Sequence, residues 1–428
     1  MSNLIYGIND KPKTAKEWIL YAVQQMCAVI TATILIANIC GTPISSCLFG
    51  ACIATLIYQL ITRFQSPMFI SSCGATCSAV IGALAIGNGQ NYLMVAIGGL
   101  VIFVIYALFA LLIRSKGVAI INRILPPTIV GSITIVIGIN LAMFIPTYCQ
   151  VGGEYSMAGV LIAIFTMFVV ALSSHYFKGF AKTIPFLIGL GAGYIVSIIL
   201  TVTKVAPLVD FSLFENMKVL QLPEFTFLKW SFDSFTFSNV LSVVVLFAPV
   251  ALCIICEHYS DHKVLSNIIG TDLTVKPGLH RTLLGDGLAS AVGTVVCGLP
   301  NTSYGESIAT TGFSRVASTR IITCAALLLG ALSFIYPINI VIQSIPACVF
   351  GGCAMILYGY IAASGLKTLL NSKVDLENNK NLIIVSVILT VGVSGIWLFH
   401  TSFAGVSLAM ILGIILNLIL RDKNLKNN

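Results

Sequence analysis

Charge is scarce in this chain. Only 9% of its 428 residues are Asp, Glu, Lys or Arg, and 57% are hydrophobic. Water-soluble domains carry about 25% charged residues, so a soluble domain is excluded and the chain is expected to be an integral membrane protein. Alternating polarity is missing too. The apolar residues come in long runs between short polar breaks, which excludes a transmembrane β-barrel, whose strands alternate. A cleavable signal peptide is not expected, because Met1 to Glu17 is polar and lysine-bearing and the first apolar run is long. The thirteen cysteines lack ligand spacing: Cys27, Cys77, Cys253, Cys324 and Cys353 all sit inside apolar runs. They read as buried reduced thiols rather than as disulfides or a metal cluster. No cofactor and no metal are expected. A net charge of +8 could suggest nucleic acid, but its distribution reads as membrane topology instead.

At about 20 residues per span, fourteen apolar segments are present: 18–38, 44–62, 68–87, 92–113, 124–145, 157–174, 184–202, 239–258, 282–298, 302–314, 321–340, 346–366, 381–399 and 402–420. The tenth is too short to cross as one helix. With both termini cytoplasmic, twenty of the 23 basic residues fall inside, among them Arg63, Arg114, Arg123, Lys178, Lys182, Lys263, Arg315 and Lys367. The outer segments hold only Lys204, Lys218 and Lys229, all in the connection 203–238. This is the positive-inside pattern, and miscounting one span would scramble it. The aromatic-rich connection splits the chain into seven spans plus seven. An odd number per half implies halves inserted in opposite orientations, as in inverted-repeat transporters. Internal echoes agree: the fifth span of each half opens on proline, at Pro126-Pro127 and Pro346. The third span of each half is polar, at Ser71 to Thr76 and at Asn301 to Ser307.

The stretch Pro300-Asn301-Thr302-Ser303-Tyr304-Gly305-Glu306-Ser307 is the most polar piece of an oily chain. Glu306 and Glu257 stand at membrane depth, where an ionisable side chain costs about 2.5–3.5 kcal/mol on insertion scales and by default marks a substrate or ion pathway. Gly74 and Gly305 are expected to relax the backbone there, with serines and threonines satisfying its hydrogen bonds. Half-helix N-termini would present N–H groups and positive potential to carbonyl oxygens or anions. Two carboxylates add acceptors, so a planar ligand with alternating C=O and N–H groups fits; a carboxylate or inorganic anion suits the N-termini equally. Each residue also has a plainer reading. Glu257 closes the eighth segment and can simply lie at the interface, Glu306 can hold a broken helix together, and Asp286 can tether helices rather than carry a proton. His258 and His262 read as juxtamembrane polar residues, and His400 and Asn140 as polar residues near span ends. An intramembrane enzyme would need a nucleophile–base pair or metal cluster; only Ser303 and Ser307 near Glu306 qualify, and pocket hydrogen bonding accounts for them more simply.

Several stretches resemble bacterial uracil permeases of the nucleobase/ascorbate transporter family. These are Glu257-His258-Tyr259-Ser260-Asp261-His262, the run to Gly278-Leu279-His280-Arg281, Pro300 to Glu306, and Leu357 to Gly365. The first half matches more loosely through Gln24, the segment around Ser72 and Leu125-Pro126-Pro127. The resemblance implies an all-α membrane protein of fourteen transmembrane segments in two inverted seven-span repeats, with short strands interrupting segments 3 and 10. It implies a core domain (1–114 and 239–344) and a gate domain (115–238 and 345–428), with dimerisation through the gate, in a bacterial cytoplasmic membrane. It implies uracil import by proton symport, with Glu257 and Glu306 as substrate carboxylates, Tyr304 and Gly305 as pocket residues, and Gly74, beside Cys73, facing the base. Glu257, Asp261, His262 and Asp286 are the proton-coupling candidates. Sodium coupling stays open, because unwound-helix carbonyls plus a carboxylate hold Na⁺ as well; so does xanthine or uric acid as substrate. The chain departs from the family pattern at Gln24-Gln25 for a Gln-His pair, Gly74 for a bulky aromatic, Ser260 for glycine, Asp261 for a histidine, and Asp286 for an asparagine.

Overall fold

The computed structural model describes residues 4–86, 91–118, 125–151, 154–178, 181, 184–215, 218–394, 396 and 404–420. His400, Arg123, Lys182 and the basic tail from Arg421 lie outside them. Among the described residues, eight helices are long and apolar enough to cross a membrane: Ala15–Cys40, Ile44–Ile61, Tyr92–Lys116, Pro127–Tyr148, Met157–Tyr176, Pro185–Val202, Phe237–Ile269 and Ala347–Asn371. The other apolar segments are built differently. Segment 3 is the strand Ile70–Ser72, a 3₁₀ turn Gly74–Thr76 and the helix Cys77–Leu84. Segment 10 is the strand Asn301–Ser303 and the ten-residue helix Gly305–Ser314. Leu279–Cys297 is a 19-residue helix that carries His280, Arg281 and Asp286. Segment 11 divides into Thr319–Leu332 and Tyr336–Gln343, and segments 13 and 14 are the helices Asn379–Val393 and Ala404–Ile419.

Local chemistry sets several of these ends. Thr14 and Glu17 form a capping box at the start of the first helix, each satisfying a backbone N–H that the helix leaves open. Pro126 and Pro346 each stand immediately before a helix, where a missing N–H and fixed φ cost nothing. The positive-φ residues Gly41, Gly270 and Gly298 end three more, as expected where L side chains are disfavoured.

Two sets of helices pack mainly among themselves. In one, Leu279–Cys297 lies against Tyr92–Lys116 and Ile44–Ile61, while Thr319–Leu332 lies against Ile44–Ile61 and Ala15–Cys40. In the other, Ala347–Asn371 lies against Pro127–Ala142 and Met157–Tyr176. Glycines let the helices of the second set approach closely. A Cβ on Gly365 would sit 2.5 Å from the Gly131 carbonyl oxygen, and one on Gly138 would sit 2.5 Å from the Ala362 nitrogen. Without a hydrophobic driving force between helices in lipid, such small-residue contacts provide the packing. The long connection is pinned across the first set: Thr226 Oγ1 donates to the Val295 carbonyl at 3.0 Å, Ser46 to the Glu224 carbonyl, and Phe225 packs edge-on against Phe49 at 5.4 Å. At the opposite end, residues 5–8 pair with 315–319 through Ile5 N–H to Arg315 O (2.8 Å) and Ala317 N–H to Tyr6 O (2.9 Å).

Hydropathy ends the eighth span at residue 258, but the helix runs to Ile269. Glu257 is therefore mid-helix rather than at a helix end, and His258 and His262 are fully buried. One face of the polar continuation, with His258, His262, Leu265 and Ser266, is buried against protein, which is why hydropathy misses it. All thirteen cysteines are free thiols; Cys27, Cys256 and Cys324 are half-buried and the others buried.

Gly365→Val should force the paired helices apart, at about 1–3 kcal/mol for overpacking. Thermal unfolding of detergent-purified protein should fall by several degrees, whereas Gly359→Val, where a Cβ meets nothing within 4 Å, should leave it unchanged.

Candidate functional site

Backbone that leaves helical form inside a membrane must find partners within the protein. Here the two polar segments supply each other. Ile70–Ser72 and Asn301–Ser303 pair antiparallel, with Ile70 opposite Ser303, Ser71 opposite Thr302 and Ser72 opposite Asn301. The ladder extends by one bond, Cys73 N–H to Pro300 O at 2.9 Å. Side chains satisfy further backbone groups. Thr55 Oγ1 donates to the Ile70 carbonyl (2.8 Å) and accepts from its N–H (3.1 Å), and Ser290 donates to the Asn301 carbonyl. Each strand hands over directly to a helical turn, at Gly74 and at Gly305.

The junctions open on one cavity of about 680 Å³. Glu257, Asp261, Glu306, Tyr304, Gly305, Gly74 and Cys73 all line it. Glu257 and Asp261 are one turn apart on the same helix and so share a face. Glu306 sits in the first turn of its helix and reaches back toward its own N–H, where the helix end favours negative charge. Ser303 Oγ donates to Asp261 Oδ2 at 2.7 Å. Three carboxylates thus meet in one cavity, and among the described residues no Lys, Arg or His lines it.

Neither glycine is there for its backbone freedom, as the sequence suggests: the positive-φ glycines are elsewhere. What they supply is a missing side chain. A Cβ on Gly305 would meet nothing within 4 Å, and one on Gly74 only the methyls of Ile361 and Ile36 at 3.6 and 3.7 Å. Both leave bare backbone at the cavity wall. The Cys73 N–H is consumed by the ladder, so at that residue the cavity meets the side chain.

The other candidates stand outside the cavity. Asp286 is fully buried behind Thr302, whose Oγ1 donates to its Oδ2 at 2.9 Å, and His258 Nδ1 approaches the same oxygen to 2.8 Å. His262 is buried one turn beyond His258; its Nδ1 donates to the His258 carbonyl and its Nε2 meets Tyr58 Oη, both at 2.8 Å. Gln25 also misses the cavity: it bridges Ser307 (3.0 Å) and Thr311 (3.1 Å). Asn140 ties its helix to the Gly392 carbonyl at 3.0 Å. Ser303 and Ser307 are bonded as hydrogen-bond donors, to Asp261 and Gln25 respectively. Sequence reasoning missed His258, Thr302 and Tyr58 as neighbours of the site. The signal was the i, i+4 spacing of 257/261 beside 258/262, legible only once the helix is continued past 258.

The family model described as Permease family (Xan_ur_permease) matches residues 16–401. The chain belongs to that permease family. It is a multi-pass membrane transporter, not an enzyme. It is 36% identical over 426 residues to the uracil permease of Bacillus subtilis (strain 168), covering 97% of this chain and 94% of that one. It is 33% identical over 438 residues to the uracil permease of Escherichia coli (strain K12), covering 98% and 95%. In fold it resembles the transmembrane domain of the cyanobacterial bicarbonate transporter BicA (TM-score 0.62, 16% identity, 95% of this chain and 98% of that one). It also resembles the murine anion transporter Slc26a9 in the inward-facing state (TM-score 0.68, 10% identity, 96% and 69%).

The glycines of this permease give a paired prediction. Gly305→Ala should leave thermal unfolding unchanged, within about 0.5 kcal/mol. Gly293→Ala should lower it by about 1–3 kcal/mol, because its Cβ would fall 1.9 Å from Asn301 Nδ2 and 2.8 Å from the Leu299 carbonyl.

Proposed function

We propose that this permease imports uracil by proton symport across the bacterial cytoplasmic membrane. The observation that carries the reading is the convergence of Glu257 and Glu306 with the bare Gly305 backbone on one cavity, in a chain whose near-full-length relatives are named uracil permease. Uracil carries two ring N–H donors and two carbonyl acceptors. Glu306 accepts from a ring N–H and the Gly305 N–H donates to a carbonyl. Glu257 is the proton-linked group, with Asp261 one turn away as its partner; two such carboxylates titrate as a unit. The fold neighbours include anion transporters, but three carboxylates, with no cationic residue along the cavity among the described residues, repel an anion, which favours a neutral base.

Fourteen spans in two inverted repeats, both termini cytoplasmic, accommodate this activity. The strand-bearing set of helices is the core, and the set containing Ala347–Asn371 is the gate. The cavity lining reaches Pro185, Phe313 and Ser364, close in sequence to Lys178, Arg315 and Lys367 on the basic side, which supports reading this as an inward-facing state. Import proceeds by movement of the core against the gate. Coupling requires that the loaded and empty carriers differ in their ability to reorient. The gate is also the expected homodimer contact.

Labelled uracil uptake into proteoliposomes tests the reading. An inward proton gradient without sodium should drive uracil above its equilibrium level, and a protonophore should abolish the excess. Accumulation of xanthine instead of uracil, or uracil accumulation only with sodium, would contradict it. Glu306→Gln should weaken uracil binding about 30-fold, corresponding to about 2 kcal/mol for a hydrogen bond to a charged group. Glu257→Gln should still bind but not accumulate; pH-driven accumulation by that variant would remove Glu257 from the proton role.

A further inference from the structure

The two strands of the site are held by different chemistry. In the first, Ser71 Oγ contacts Thr33 Oγ1 at 2.7 Å and Thr55 serves both polar atoms of Ile70, so neutral hydroxyls suffice. In the second, two acids hold neighbouring residues, which point to opposite faces of a strand. Ser303 donates to Asp261 and Thr302 donates to Asp286. Asp286 lies outside the cavity, 0% exposed, and a buried acid is costly unless it is partnered. His258, also 0% exposed, packs against it with Nδ1 at 2.8 Å from the oxygen that Thr302 uses. Three elements therefore meet at one atom, Asp286 Oδ2: the Phe237–Ile269 helix, the Leu279–Cys297 helix and the strand. Around the pair stand His262, with its ring centroid 4.1 Å from that of His258, and Tyr106, edge-on at 6.5 Å. Both ring nitrogens of His258 and Asp286 Oδ1 lack a hydrogen-bond partner among the described residues, so the pair meets through the 2.8 Å approach of Nδ1 to Oδ2 alone.

We infer that His258 is a positioning residue: through Asp286 and Thr302 it fixes the strand that delivers Tyr304, Gly305 and Glu306 to the cavity. The inference rests on reading that strand as part of the substrate site. The imidazole, 2.8 Å from Oδ2, confines the carboxyl and keeps Oδ2 directed at Thr302. Without it, the buried carboxyl must take up a proton or admit water, and either change competes with the Thr302 bond. The strand then loses its anchor on one face while Ser303 still holds the other.

Hydrogen–deuterium exchange of the purified protein, with no ligand added, tests this on His258→Leu and His258→Gln. The Leu variant should exchange about tenfold faster in peptides covering 299–306 and its strand partner 70–73, with the Ala347–Asn371 helix unchanged. The Gln variant, whose side-chain amide keeps a polar group against Asp286, should return to near wild-type protection. Unchanged strand exchange in the Leu variant, a rise spread evenly over the molecule, or a Gln variant as labile as Leu would each overturn the inference. Uracil affinity gives the second readout: Leu should raise Kd about tenfold and Gln should restore it. An unchanged Kd in the Leu variant would overturn the link to the site. If the wild type binds no uracil, the substrate reading falls while the exchange result still decides the role of His258.

Discussion

The structure depends on one constraint: backbone that abandons the helix within a membrane has to be paired by the protein itself. Three residues from each half meet that demand by forming a short antiparallel ladder, and the rest of the core is arranged to make the ladder possible. The Ile44–Ile61 helix contributes Thr55 to one strand, and the Leu279–Cys297 helix contributes Ser290 and Asp286 to the other. Close approach at Gly293, where even a methyl would collide with Asn301, lets the second strand lie flat against its helix. Once the ladder is in place, the half-helices begin at the cavity wall rather than at the membrane surface. Gly305 and Glu306 then line the cavity.

The same constraint explains why the site is so rich in hydroxyls and acids for a chain with so few charges. Fifteen acidic residues occur in the whole sequence, yet Glu257, Asp261, Glu306 and Asp286 are gathered around one strand. Three face the cavity and the fourth backs the strand from behind. The division separates binding from anchoring: the cavity carboxylates have room for a ligand or a proton, whereas Asp286 is closed in by Thr302 and His258.

Part of this was legible in the sequence. The polar run from Asn301 to Ser307 stands out because everything around it is apolar, and Glu257, Glu306, Tyr304, Gly305, Gly74, Cys73 and Asp261 do share a cavity. Proline placement marked the starts of Pro127–Ala142 and Ala347–Asn371. Hydropathy failed where burial is against protein: it stopped the Glu257 helix eleven residues early, and with it lost His258 and His262 to the membrane surface. Reading Gly74 and Gly305 from glycine's backbone freedom assigned them a conformational role when their contribution is empty space. The partnerships were out of reach in principle. Tyr58 meets His262 across 204 residues, and Ser307 meets Gln25 across 282; a single sequence carries no trace of such distances.

The most direct test of the account is an experimental structure with uracil bound. The predicted result is a base in the cavity beside the strand–helix junction, one carbonyl within hydrogen-bond distance of the Gly305 N–H and a ring N–H facing the Glu306 carboxylate. Uracil lodged elsewhere, or a cavity that stays empty at saturating uracil while a different base occupies it, would contradict the account.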